Sequence, residues 1–361
     1  MDTIFPDFRR GILTLKISFG GNALRDFGFR VDGSEMSFGC LRFRAVRWWF
    51  AVCALAIASP FPVSAGAPNL PPEAVRAMEK IYAGDPTGAI VILRDLQRSQ
   101  PENPIGFLLE AEAVWWQIYC ENAEVKYGMV DAWKRGKKAE DEQYLALVDQ
   151  VINLAQAQIA KSNSAEMHLY AGNAYALKAR MYALRGESRA VAHTGVAARG
   201  EFLRALEIDP QMADATAGLG LYNYYVDSLS SAVKVLRFFM GIPGGDRDEG
   251  IRQMQVGIDH GVLSQVTMRF YLAKNLRNFD QKYEMALAVA KPLGTRYAQN
   301  AMFQLLLGNL NTELGRIENA ARYFHAAMQT SSADHGGDCS SCTTCKNRVR
   351  EIADSFLGMQ H

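Results

Sequence analysis

The chain has 361 residues, of which 49% are hydrophobic and 21% charged, and its formal net charge is +1. The one basic cluster after residue 65, at positions 134–138, is followed at once by an acidic run at positions 140–142. A nucleic-acid-binding protein normally has a basic face or stripe, so we expect no nucleic-acid partner and interpret the cluster as a solvated loop between helices.

Residues 36–65 have the order of a secretory signal peptide. Three arginines precede an apolar run at residues 48–58, and a small-residue site follows at residues 63–65. This order predicts a leader that begins at Met36 and is cleaved after Ala65. We therefore expect a bacterial protein that is periplasmic or secreted.

Residues 1–35 show no comparable organisation, and we interpret them as a disordered extension from an upstream start. The apolar run at residues 48–58 is shorter than the roughly 20 residues that a transmembrane helix needs, so we expect no stable membrane insertion after cleavage. The alternative is an uncleaved N-terminal membrane anchor, with residues 1–35 as its cytoplasmic tail.

The first predicted helix hairpin covers residues 70–103. Gly84 stands at its turn, Leu93 and Leu96 belong to its second helix, and Pro101 follows where that helix should stop. Glycine adopts turn conformations readily and proline cannot continue a helix. Both helix breakers therefore stand where a hairpin requires them.

The middle of the chain departs from a regular hairpin. Gly172 and Tyr175 suit a first helix, whereas Phe202, Ala205 and Pro210 suit a second helix that comes later than in the other copies. We therefore predict that the helices of this region are elongated.

Two more helices are predicted at residues 212–225 and 246–260, with an apolar segment between them. Gly250, Met254 and Gly257 occupy the packing positions of the second helix. Small residues at such positions allow two helices to approach closely.

The last two hairpins, at residues 267–334, follow one template so closely that Ala286 and Ala320 stand one period of 34 residues apart. Gly308 and Ala320 allow two helices to pack tightly, and Phe324 fills the space between one hairpin and the next.

Five stretches of the chain follow this pattern, which resembles the tetratricopeptide repeat and its period of 34 residues. The resemblance implies an all-α fold, a right-handed superhelical solenoid of antiparallel helix hairpins with some helices elongated, over residues 66–338. A cysteine-containing loop and a C-terminal helix follow at residues 339–361. Such an array grows by stacking and needs no division into domains. Scaffolds of this kind present a concave groove to a protein or peptide, so we expect no enzymatic activity and no cofactor.

Residues 211–260 carry a more specific resemblance. The runs GLGLYN at 218–223, LRFF at 236–239 and GGDRDEG at 244–250 follow one another in this order. They are similar to the G-x-G-x-F-N helix, short apolar helix and G-D-R-E-x-G turn of the tetratricopeptide-repeat-39 and inclusion-body-clearance proteins. Tyr222 replaces the usual Phe, and the usual Pro-Pro pair is absent. The resemblance implies a fold and not a cellular role.

Recurrent asparagines predict a partner-binding groove. Asn173, Asn275 and Asn309 each follow the packing position of a first helix, and in repeats of this family that position faces the groove. An asparagine side chain carries a donor and an acceptor, so a row of them would hold an extended peptide backbone. The alternative is that they hydrate an empty groove. Tyr271 and Leu305 stand where the family's carboxylate-clamp lysine would be expected, so we expect no such clamp, and we count Tyr271 with the three asparagines among the residues of the partner-binding groove.

Adjacent aromatic residues give a second prediction about the groove. Trp115 and Trp116 follow each other on one predicted helix, and Tyr224 and Tyr225 on another. Neighbouring residues cannot share a helix face. One member of each pair should therefore point away from the main seam and toward a partner.

Four cysteines remain after removal of the leader: Cys120, and the run of Cys339, Cys342 and Cys345 that follows His335. In an oxidising compartment we expect disulfides, either with two tail cysteines joined locally and the third bridged to Cys120, which four cysteines allow in three ways, or with a local tail pair and Cys120 buried and reduced. The alternative function is a metal-binding or thiol-redox module, in which His335 and the three tail thiolates hold a metal ion.

Overall fold

The structure, a computed structural model, describes residues 66–229, 234, 237, 241–332 and 340–358. The predicted leader and upstream extension, together with His335 and Cys339, lie outside the described residues.

Helices account for nearly all of the regular structure in the described residues. They are α1 (Pro72–Tyr82), α2 (Pro86–Ser99), α3 (Pro104–Glu121), α4 (Asp141–Lys161), α5 (Ala165–Arg185), α6 (Ser188–Ile208), α7 (Ala213–Asp227), α8 (Arg247–His260), α9 (Gln265–Asn278), α10 (Tyr283–Arg296), α11 (Ala301–Glu313), α12 (Ile317–Ser332) and α13 (Ser340–Gly358). One antiparallel β-hairpin, β1 (Ala123–Lys126) and β2 (Met129–Ala132), lies between α3 and α4. No helix in the described part of the chain is long and apolar enough to cross a membrane.

Each helix packs against the next along the chain, which gives stacked antiparallel hairpins from α1 with α2 to α11 with α12. This is the predicted all-α solenoid of helix hairpins. The middle helices α4, α5 and α6 each have 21 residues, whereas α9, α10 and α11 have 13 or 14. The prediction of elongated helices in the middle of the chain is confirmed.

The turns between helices use the residues that the pattern predicted. Gly84 and Gly315 have φ of 91° and 67°, values that residues with a side chain rarely adopt. Several helices begin at a side chain that accepts a hydrogen bond from a backbone N–H of the first turn: Asp85, Asn103, Ser164, Asp246 and Asn300. Such caps satisfy backbone donors that have no partner within the helix.

Small residues meet aromatic rings where the helices of a hairpin cross. A Cβ on Gly308 would lie 2.6 Å from Phe324 Cε1, and a Cβ on Gly172 would lie 2.6 Å from Phe202 Cε1. Both phenylalanine side chains are buried. The sequence analysis placed Phe324 between hairpins, whereas the structure also packs it against Gly308 within its own hairpin, and the elongated repeat shows the same contact between Gly172 and Phe202.

The repeat pattern does not predict the β-hairpin at residues 123–132. Its strands pair Lys126 with Met129, so the turn consists of Tyr127 and Gly128, with φ of 53° and 73°. Two positive values are typical of a type I′ turn, in which Asn-Gly or Asp-Gly is the usual pair. The hairpin lies against α11 and α13.

Helices from distant parts of the chain support one another. The Asn300 side chain, before α11, donates from Nδ2 to Tyr82 O at the end of α1 across 3.0 Å. The last helix, α13, contacts α3, α11 and α12, and its Phe356 ring stacks on Phe324 with ring centroids 4.7 Å apart. These long-range contacts join the N-terminal hairpins to the C-terminal ones.

Candidate functional site

Three of the predicted groove residues lie together on first helices, but the surface they form is covered. Tyr271 and Asn275 on α9 and Asn309 on α11 are 5%, 0% and 0% exposed. Their hydrogen-bond partners come from α3, α7 and the β-hairpin. They do not face an open groove, and their role in partner binding stays a prediction. With Lys274 and Asn278, these residues form the surface that we call the inner face.

Asn309 holds the main chain of the β-hairpin at two points. Its Nδ2 donates to Gly128 O across 2.8 Å, and its Oδ1 accepts from Val130 N across 3.4 Å. The side chain thus uses a donor and an acceptor on the free edge of β2, as predicted for a peptide backbone. Arg277 adds a second hydrogen bond, from Nη2 to Gly128 O across 2.6 Å.

A buried ion pair holds the end of the same strand. Asp131 Oδ1 lies 2.9 Å from Lys274 Nζ and accepts from Tyr119 OH across 2.9 Å, while Asn278 Nδ2 donates to Oδ2 across 3.1 Å. Burial alone would lower the pKa of Lys274, but the Asp131 carboxylate beside it holds that pKa well above its ordinary value. Lys274 is therefore a cation at neutral pH, and its ammonium also lies 5.1 Å from the Tyr271 ring centroid.

Asn275 and Tyr271 contact other helices rather than the hairpin. Asn275 Oδ1 accepts from Tyr225 OH across 3.0 Å, and its Nδ2 has no acceptor among the described residues. Tyr271 OH accepts from Trp115 Nε1 across 3.1 Å. Both residues therefore fix the position of α9 against α7 and α3.

The structure does not bring Asn173 to the inner face with the other asparagines. Asn173 is half-buried on α5, and its Nδ2 donates to Leu169 O of the same helix across 3.1 Å. One of the two N–H groups of this amide is thus bonded within its own helix. Its predicted role in the groove remains untested.

The repeat pattern singled out Asn275 and Asn309 but not the charged residues beside them. Lys274 and Asn278 are four residues apart on α9, and Arg277 is three residues after Lys274. This spacing places side chains on one side of a helix. Polar residues at this spacing on a first helix could have indicated the site in the sequence. Asp131, the partner shared by Lys274 and Asn278, is far away in sequence and could not.

Trp115 and Trp116 are both buried, at 5% and 6% exposure, so the prediction that one of them points outward is wrong. The reason is that α3 is surrounded by α1, α2, α4, α5 and α13. The Trp116 indole N–H donates to Glu112 Oε1 across 3.1 Å, and Glu112 also pairs with Arg180 at 3.1 Å. This buried polar cluster ties α3 to α5.

Tyr224 and Tyr225 also point inward. Tyr224 is fully buried and donates to Asp280 Oδ2 across 2.8 Å, while Tyr225 is half-buried and donates to Asn275. Burial raises the pKa of both phenols above its ordinary value. Neither tyrosine forms an exposed contact surface on its own.

The structure pairs Cys120 at the end of α3 with Cys345 on α13, with Cα atoms 5.2 Å apart and a sequence separation of 225. Of the two disulfide arrangements predicted, this pair belongs to the one that bridges Cys120 to a tail cysteine; its local pair involves Cys339 and the Cys342 side chain, which lie outside the described residues. A bridge between such distant cysteines is possible because α13 folds back against α3. The pairing fastens the helix that precedes the β-hairpin to the C-terminal helix.

The metal-binding alternative is not tested by the described residues. No group of three or more His, Cys, Asp or Glu side chains is arranged around a common point in the described part of the chain. His335 and Cys339 lie outside that part, as does the side chain of Cys342. The alternative therefore stays a prediction.

The three lysines of the basic cluster at residues 134–138 are exposed, as expected for a solvated loop, whereas Arg135 is held in an ion pair. Arg135 donates to both carboxylate oxygens of Asp141 at 3.1 and 2.6 Å, and its backbone N donates to Leu184 O across 2.9 Å. Asp141 is fully buried and also accepts from Lys138 N across 2.9 Å. Burial alone would raise the Asp141 pKa, but the hydrogen bonds from Arg135 and Lys138 bring it below its ordinary value.

Replacing Asp141 with asparagine is expected to lower the free energy of unfolding by about 3 kcal/mol at pH 7, because Arg135 loses its buried partner. A carboxylate with a depressed pKa stabilises the fold above its ordinary pKa of 3.8 and loses that effect as the pH falls through its folded value. The difference between wild type and variant should therefore be constant above about pH 5 and shrink below it. Urea unfolding across this pH range measures it, with exposed Glu140→Gln as the control; a difference that grows on acidification would contradict the account.

Comparisons with known proteins give one distant structural likeness. No protein-family model matches the chain, and no curated protein matches it in sequence. Solved structures that match include the human IFIT1 dimer with PPP-AAAA, with 14% identity, 72% of this chain and 63% of that chain covered, and a TM-score of 0.28. The chain thus spans less than two thirds of that protein, and the likeness is too distant to transfer a ligand.

The stacked hairpins themselves define the class: this is an all-α helical-repeat protein. Because no family model matches, the finer resemblance of residues 211–260 to the tetratricopeptide-repeat-39 proteins stays a prediction.

Proposed function

We propose that the protein is an exported binding scaffold, with no catalytic activity of its own, that holds a protein or peptide partner at the inner face. The observation that carries this proposal is the pair of hydrogen bonds that the Asn309 side chain makes with Gly128 O and Val130 N. A side chain that bonds main-chain groups alone accepts an extended segment of many sequences. The inner face therefore has the chemistry of a peptide-binding surface.

The helical-repeat architecture supports this proposal. Helices α9 and α11 are held in place by buried contacts on several sides, such as the Trp116 ring against Phe270 with centroids 5.0 Å apart. Binding groups on rigid helices hold a ligand with less loss of conformational freedom than groups on loops. The amides of Asn309 and Asn278 are positioned before a partner arrives.

Two features support export. The leader pattern at residues 36–65 predicts it, and the pairing of Cys120 with Cys345 has the form of a long-range disulfide. Such bonds persist in oxidising compartments and are rare in the cytosol. A periplasmic or secreted location suits both features.

A photocrosslinking experiment tests where a partner binds. The full chain is produced with a photoreactive amino acid at Asn278, on the inner face, and in a second sample at Val91, which is 61% exposed on α2. Each sample is irradiated in the periplasmic or culture-medium fraction of the producing organism. We expect a partner that crosslinks through position 278 and not through position 91.

Crosslinks through position 91 alone, or none through either position, would contradict the proposal. Circular dichroism of both samples checks that the probe has not unfolded the chain. Asn309 is left unchanged, because both its donor and its acceptor bond the main chain of the hairpin and a partner would use the same two groups.

A further inference from the structure

We propose that the β-hairpin at residues 123–132 is an internal ligand of the inner face, and that the partner segment which replaces it is an extended peptide with an acidic residue directly after an apolar one. This inference rests on the proposed function and specifies the partner's chemistry. It is carried by what the hairpin contacts and by what its departure would leave behind.

The hairpin depends on its contacts with the helices. Each strand has four residues, and the two strands pair only with each other among the described residues. An isolated two-stranded hairpin is marginally stable in water. Its position is therefore determined by the contacts of β2 with the inner face and of β1 with α13.

Groups of the turn and of β2 are bound in the order in which they follow one another along the chain. Asn309 bonds Gly128 O and Val130 N, and the Asp131 carboxylate pairs with Lys274, whereas Val130, at 7% exposed, belongs to the buried hydrophobic core. Adjacent side chains of an extended strand point to opposite sides. A segment with an apolar residue followed by an acidic one reproduces this order in the extended conformation.

Charge specifies the acidic residue. The Lys274 side chain is 11% exposed, and among the described residues Asp131 is the carboxylate within ion-pair distance of its ammonium. A buried cation without a partner is strongly unfavourable. If the hairpin leaves, an incoming segment must supply a carboxylate at the same place, which distinguishes acidic from neutral peptides.

The chain is fastened on both sides of the hairpin, so a displacement of the hairpin would be limited to the residues between the two fastenings. Cys120 precedes it and is paired with Cys345, and Arg135 follows it and is paired with Asp141. The residues between these points and the strands are short connections. The movement we propose is thus confined to about a dozen residues, the size of a small surface loop.

Peptide binding by the full chain tests this proposal. The probe is a fluorescent synthetic peptide with the sequence of residues 123–132, and a second peptide carries asparagine in place of the residue equivalent to Asp131. The first protein is the wild type; the second has residues 124–131 replaced by a Gly/Ser linker of the same length. Two further forms add Lys274→Met or, as a matched control, the exposed Lys291→Met to the linker variant.

We expect the linker variant to bind the acidic peptide at least about tenfold more tightly than the wild type, whose site is occupied for most of the time. The Lys274→Met substitution and the asparagine peptide should each weaken binding about tenfold, and together no more than either alone. Lys291→Met should leave the affinity unchanged.

Three results would overturn the inference: a folded linker variant that binds neither peptide, equal binding of the two peptides, or a linker variant that fails to fold. The last result would show that the hairpin belongs to the core. The proposed function is judged separately. A natural partner that crosslinks at position 278 but is not displaced by the acidic peptide would leave that function standing and remove this inference.

Discussion

Replacing Cys345 with serine is expected to lower the free energy of unfolding by about 4 to 5 kcal/mol under oxidising conditions. The bond that we predict between Cys120 and Cys345 closes a loop with a sequence separation of 225 residues. A cross-link stabilises mainly by restricting the unfolded chain, and the effect grows with the length of the loop. The helix α13 also packs on α3, α11 and α12. We therefore expect the loss of the bond to weaken the packing of this helix as well.

Urea unfolding of the oxidised and reduced proteins measures this effect. Cys120→Ser should cause the same loss as Cys345→Ser, and the two substitutions together should cause no greater loss. In the presence of a reductant the wild type and the variants should unfold at about the same urea concentration. An equal loss in Cys342→Ser, which serves as the control, would show that the tail cysteines pair differently.

Replacing Gly250 with alanine is expected to lower the free energy of unfolding by about 3 kcal/mol. A Cβ on Gly250 would lie 2.7 Å from Tyr224 N and 2.8 Å from Gly220 O. These neighbours are backbone atoms of α7, so they cannot move aside as the end of a flexible side chain would. Helices α7 and α8 would have to separate along their whole contact.

The matched control is Gly200→Ala on α6, because a Cβ there meets nothing within 4 Å. Alanine is about 1 kcal/mol more favourable than glycine inside a helix, so this control should gain stability. Equilibrium urea unfolding of both variants provides the comparison. If the free energy of unfolding of Gly250→Ala were as high as that of the control, α7 and α8 would not cross as closely as described.

The repeated hairpins could be predicted because each is encoded by local residues. Gly84 and Gly315 interrupt helices where the turns lie, and Gly308 and Ala320 are small residues on the two helices of one hairpin. Gly250 lies at a helix crossing for the same reason, since a small residue marks a close approach whatever surrounds it. These features depend on short spacings along the chain, which a sequence displays directly.

The covering of the inner face could not be predicted from such spacings. Asn309 was recognised as a residue suited to a peptide backbone, but its partners, Gly128 and Val130, are about 180 residues away and belong to another element. The turn of that element uses Tyr-Gly, a weak hairpin signal. The burial of Trp115 has the same origin, because its indole N–H donates to Tyr271 OH, 156 residues further along the chain.

Amide hydrogen exchange at Val130 tests the central claim, that the inner face binds an extended segment in place of the hairpin. In the free protein the Val130 N–H is bonded to Asn309, and it should exchange slowly. On saturation of the isotope-labelled full chain with the unlabelled acidic peptide, we expect this protection to be lost while the amides of α9 and α11 keep theirs. Bound peptide with unchanged protection at Val130 would contradict the account.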